Sequence, residues 1–110
     1  MTLQELKTAL DGIENVAKIY GYFPDDQEVP YIAYYAIIDN QIFADGQLVY
    51  SEETVTMIFV SRYRDLETES DIDGILSQNG VQFSKEYDLD PEQKIHTVTY
   101  NFTAITTQGG

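Results

Sequence analysis

The sequence predicts an α+β domain, with an antiparallel or mixed sheet of four to five strands and two helices packed on one face. Three observations predict it. Apolar residues recur at helical spacing in two separated segments, Leu3 to Ile13 and Leu66 to Leu76. Two runs, Tyr31 to Ile38 and Met57 to Val60, are apolar or aromatic at every position, as in strands covered on both sides. A third, Lys94 to Ile105, alternates cleanly with period two.

The elements follow in chain order. Thr2-Leu3-Gln4-Glu5 has the capping-box pattern, so a first helix is expected from about Leu3 to Leu10 or a little beyond, with Gly12 as its stop. Val16 to Phe23 mixes β-branched and aromatic residues and reads as a short strand ended by Pro24-Asp25-Asp26. Pro30 opens the first apolar run. From Asp39 to Glu53 the chain turns polar around Asp45-Gly46, which reads as a long, exposed hairpin-type connection. A strand follows at Thr54 to Arg62. Asp65 can cap a second helix, with Asn79-Gly80 as its stop. Val81 to Tyr87 is expected to be a strand and Asp90-Pro91-Glu92 a turn. In the last strand Val98, Tyr100, Phe102 and Ala104 should face inward, and Thr97, Thr99, Asn101 and Thr103 outward.

Two helices of this length cover one side of such a sheet and not both. The double-faced strands therefore call for a sheet that curls on itself or for a second protein on the other face. The 110 residues make one domain, expected over 1–105, with 106–110 as a flexible tail.

Composition narrows the function classes. With 43% hydrophobic residues the chain can build a core, and with no cysteine it has neither disulfides nor thiolate chemistry. The N-terminal residues lack the pattern of a secretion signal. The longest apolar run, Val29 to Ile38, is half of the ~20 residues that span a bilayer, so no membrane partner is expected. Asp and Glu number 19 against 6 Lys and Arg, a net charge of −13, which repels phosphate backbones. Solubility, proximity to nucleic acid without adhesion, and mimicry of DNA all fit that charge.

Catalytic chemistry is sparse. His96 is the single histidine and falls on the inward side of the last strand, where a structural role is expected. Asp71-Ile72-Asp73-Gly74 lacks the remaining ligands of a calcium loop and sits in a helical pattern. No phosphate-binding glycine loop, nucleophile elbow or zinc-protease motif is present. No enzyme, metal or cofactor is expected. The informative residue is tyrosine, with 9 in the chain. Tyr31, Tyr34 and Tyr35 cluster in one strand and Tyr50 follows, which fits either an interface or the rim of an ordinary sheet.

The order of segments resembles a known family. An amphipathic N-terminal helix precedes Tyr20-Gly21-Tyr22-Phe23-Pro24. Then come Pro30-Tyr31-Ile32-Ala33-Tyr34-Tyr35, the Asn40 to Tyr50 segment with Ala44-Asp45-Gly46, and the long strand Glu53 to Arg62. The helix Asp65 to Gln78 and a final strand pair close the set. Together these resemble the small tail-terminator or tail-completion proteins of long-tailed phages and prophages. Head-completion proteins of the phage neck give a similar pattern.

The resemblance implies a structural protein with no catalytic residue. It implies a ring, usually of six copies in the assembled tail, from a subunit that can be a monomer in solution. The ring's partners would be the tail-tube protein and the head-connector protein. DNA passes through without being bound. It also implies a place in the host cytoplasm during assembly and in the virion tail or neck afterwards. The segment between the two central strands lies at subunit contacts in such proteins. The interface expected here is therefore Asn40, Ile42, Phe43, Asp45, Gly46, Leu48 and Tyr50, with Tyr34 from the tyrosine cluster. The alternative from another class is a small acidic DNA-mimic inhibitor. Its acids should form regular rows, whereas here they scatter over turns, helices and strand ends.

Overall fold

The computed structural model describes residues 1–107. The elements run α1 (Leu3–Asp11), β1 (Ala17–Tyr20), β2 (Tyr31–Ala44), β3 (Gln47–Ser61), α2 (Leu66–Gln78), β4 (Phe83–Asp90) and β5 (Ile95–Thr107). The sheet is five-stranded in the order β1-β2-β3-β5-β4. β1 pairs parallel to β2 and every other neighbour is antiparallel, so the sheet is mixed, as the α+β reading allowed.

Local chemistry sets the helix ends where the sequence placed them. Thr2 Oγ1 accepts from the Glu5 N–H at 3.1 Å, and Glu5 Oε1 accepts from the Thr2 N–H at 3.2 Å. Asp65 caps α2 by accepting from the Thr68 N–H at 3.0 Å. At the other end Gly80 has φ +70°, and the Val81 N–H reaches the Leu76 carbonyl at 2.9 Å while that of Gly80 reaches Ser77 at 3.1 Å. That pair of bonds is a Schellman stop, and it needs a residue that tolerates the left-handed region.

Register puts one parity of each strand beneath the helices. Ile32 and Tyr34 of β2, Val55, Met57 and Phe59 of β3, and Val98, Tyr100, Phe102 and Ala104 of β5 form one buried cluster with Leu6, Leu10, Ile72 and Leu76. The inward set expected for β5 is the set observed. The opposite parity of β2 and β3 forms a second cluster, Tyr31, Ala33 and Val60, flanked by Ile19, Val29, Ile58 and Ile95.

The parallel β1–β2 pair explains what covers this second face. Parallel neighbours need a crossover, here the segment 21–30. Val29 packs on the second cluster, and the Phe23 ring lies 5.1 Å from that of Tyr35. Part of the second face is thus closed by the chain's own crossover, an answer that neither sequence alternative contained.

Three expectations need correction. The strand expected over Val16 to Phe23 ends at Tyr20, because Gly21 at φ +102° turns the chain out of the ladder after donating to the Tyr34 carbonyl. β5 runs on to Thr107, so the backbone of Thr106 and Thr107 pairs with β3, while 108–110 lie outside the described residues. The stretch Asn40 to Tyr50 is no loop: Asn40↔Glu52, Gln41↔Ser51, Ile42↔Tyr50, Phe43↔Leu48 and Ala44↔Gln47 are ladder partners. Asp45 and Gly46 alone make the turn, at φ +52° and +76°. Both central residues at positive φ define the tight turn that matches strand twist, which Asp-Gly favours.

Candidate assembly surface

β2 with 14 residues and β3 with 15 form the longest hairpin of the sheet. The molecule measures 55 × 26 × 21 Å, and its radius of gyration is 15.3 Å against about 13 Å for a compact chain of this length. β3 is paired on both sides down to Tyr50, with β2 through Ile42 and with β5 through Thr107. Three strands make the root of the arm a stable sheet. Beyond Ile42 only two strands remain among the described residues, and register shifts near Asp39 and between Ile42 and Phe43 add local twist.

The arm mixes polar residues with exposed apolar ones. Ile37, Ile42 and Phe43 are 58%, 50% and 58% exposed, and Ile38 and Val49 are also exposed. By register Ile37 and Ile42 lie on one face of the hairpin and Ile38 and Phe43 on the other. Asn40, Asp45 and Gly46 are exposed, with Asp45 and Gly46 at the tip. Leu48 and Tyr50 are half-buried. The Tyr50 hydroxyl donates to Glu52 Oε1 at 2.6 Å, and this bond to a carboxylate raises its pKa.

Tyr34 does not belong with them. It is 3% exposed, its ring 5.1 Å from that of Tyr20 beside α1, because its parity on β2 faces the helices. Tyr31 is buried as well, and Tyr35 lies beneath Phe23. The tyrosine cluster is packing within the subunit, so it gives no support to an interface. Ile37, Ile38 and Val49 were missed as surface residues. The first two end an apolar run that reads as core, and nothing local marks where the body stops.

A substitution on the arm should separate surface from core. Phe43→Ser is expected to change unfolding free energy by less than about 0.5 kcal/mol, as at other exposed sites, while weakening any association through the arm. Urea melts check the first part and sizing the second.

The other polar cluster of note holds the edge strand. Glu69, 2% exposed, receives Arg64 Nε at 3.1 Å and Lys85 Nζ at 2.9 Å, and Lys85 also reaches Asp73 Oδ2 at 2.9 Å. The Arg64 guanidinium lies 4.2 Å from the Tyr87 ring centre, and the Tyr87 hydroxyl is 2.6 Å from His96 Nδ1. Burial and the Asp73 carboxylate raise the Tyr100 hydroxyl far above its ordinary value, so it stays protonated. These contacts tie α2 to β4, most of whose side chains are exposed. Both carboxylates are ion-paired, and the cluster serves as a strut.

Burial pushes the Glu69 carboxyl up, but the hydrogen bonds and charges of Arg64 and Lys85 outweigh it and hold the pKa below the ordinary 4.5. A depressed folded value means that its stabilisation is complete above the unfolded pKa and is lost as pH falls through the folded one. The melting temperature should therefore drop on acidification from about pH 6 to about pH 3, and less steeply in Glu69→Gln. Equal slopes would remove Glu69 as the source.

Among the described residues no group of three or more His, Cys, Asp or Glu could hold a metal ion. Asp71 and Asp73 lie on α2. No helix among the described residues is long and apolar enough to cross a membrane. Compared with known proteins, the chain matches no protein-family model and no curated sequence.

Proposed function

We propose that the chain is a structural assembly protein of a phage or prophage tail, whose copies close into a ring that terminates the tail tube and joins it to the head connector. One observation carries this reading: a β-hairpin whose Ile37, Ile38, Ile42, Phe43 and Val49 side chains stay largely exposed among the described residues. An arm reaching onto a different patch of the next copy is a head-to-tail contact, and such contacts close into rings when the rotation allows. The resemblance of the segment order supports a tail terminator and a ring of six. On this reading the chain catalyses no reaction and needs no cofactor.

The net charge of −13 supports the same reading. A lumen lined with bases would hold passing DNA by its phosphates, whereas an acidic one lets it slide. The protein is accordingly expected not to bind duplex DNA at physiological salt. Micromolar affinity in a shift assay would contradict this and the acidic-channel argument with it.

The functional test is addition of the chain to tail-tube protein during tube growth. Tubes should stop lengthening and carry a cap at one end in electron micrographs. Tubes of unchanged length with bare ends would rule out the terminator role.

A further inference from the structure

The faces of the arm are what a ring would use; its backbone edge is a separate surface. β1 is 4 residues long and pairs only with Tyr31–Tyr34, so most of the 14-residue β2 has no outer neighbour among the described residues. Exposed edges are normally blunted by lysine or proline. From Tyr31 to Ser61 there is neither. The register shifts twist the edge near Asp39 and past Ile42, but Tyr35 to Ile38 stays regular.

Charge selects the occupant. No lysine, arginine or histidine lies between Lys18 and Arg62, while Asp39, Asp45, Glu52 and Glu53 all sit on the arm. A second copy offers the wrong complement. Its arm carries the same acids, and its other sheet edge, β4, carries Glu86, Asp88 and Asp90. The single base on β4, Lys85, is taken by Glu69 and Asp73.

We infer that the β2 edge centred on its regular stretch, Tyr35 to Ile38, is a strand-addition site for a different protein, one that supplies an extended segment alternating basic and apolar residues. Main-chain hydrogen bonds to the edge would give affinity. The incoming bases would meet the arm's acids, and the apolar side chains would lie beside Ile37. The inference uses the arm but not the ring: absence of a ring would sink the proposed function and leave the edge untouched.

The probe is a labelled, end-blocked eight-residue peptide alternating lysine with valine, titrated into the full chain at about 0.15 M salt. Saturable one-to-one binding is expected. It should weaken at least about tenfold when alternate peptide nitrogens are methylated, which keeps charge and apolarity but removes strand donors. It should weaken similarly in Asp39→Lys/Glu53→Lys, but less than about twofold in the equal-charge control Glu86→Lys/Asp88→Lys. Equal affinity for the methylated peptide would show mere polycation attraction and overturn the inference. So would equal loss in both variants. Concentration-dependent protection of the Tyr35 to Ile38 amides without peptide would give the edge to a second copy and overturn it too.

Discussion

Phe102→Ala is expected to cost about 3–5 kcal/mol of unfolding free energy, the range for removing a buried phenylalanine. Phe102 is 5% exposed and sits where three strands meet, opposite Val55 of β3 and Phe83 of β4. The same cluster includes Leu6, Leu10, Ile72 and Leu76 from the two helices. The cavity left by the ring therefore borders strands on both sides, whose ladders limit how far the site can collapse. A domain of this kind is stable by roughly 5–15 kcal/mol in total. The variant should thus melt much earlier in urea, with the same dependence on denaturant as the parent. A change below about 0.5 kcal/mol would mean that the faces of β5 are reversed.

The residues that the sequence assigned correctly are those fixed by local rules. Thr2, Asp65 and Gly80 end helices by hydrogen bonds or φ preferences that depend on a few neighbours, and β5 shows its buried face by simple alternation. What was not legible depends on distant pairing. The parallel β1–β2 contact makes segment 21–30 a lid on the second face, and no periodicity within 17–34 encodes that. The arm failed for a related reason. Its strands seemed to end at Ile38 and Thr54 because the residues beyond are polar, yet polar residues suit a hairpin that is wet on both faces. Asp45-Gly46 carried the true turn signal, and read alone it would have continued both strands to the tip. Tyr34 was misplaced because residue type was weighed above parity. Even-numbered positions of β2 from 32 to 36 face the helices, whatever their polarity.

The assembly role of the arm is tested most directly by sedimentation velocity on a variant in which Asp39 to Glu52 is replaced by Asn-Gly. Ile38 and Glu53 are ladder partners, so a two-residue turn can join them without changing the register of the body. None of the removed side chains belongs to the helix-side cluster or to the second cluster. The variant should therefore still melt cooperatively. The full chain, alone at high concentration or with tail-tube protein, should sediment as a closed species of fixed stoichiometry. The shortened chain should remain a monomer under the same conditions. A shortened chain that folds and still forms the same species would contradict the arm's role in assembly.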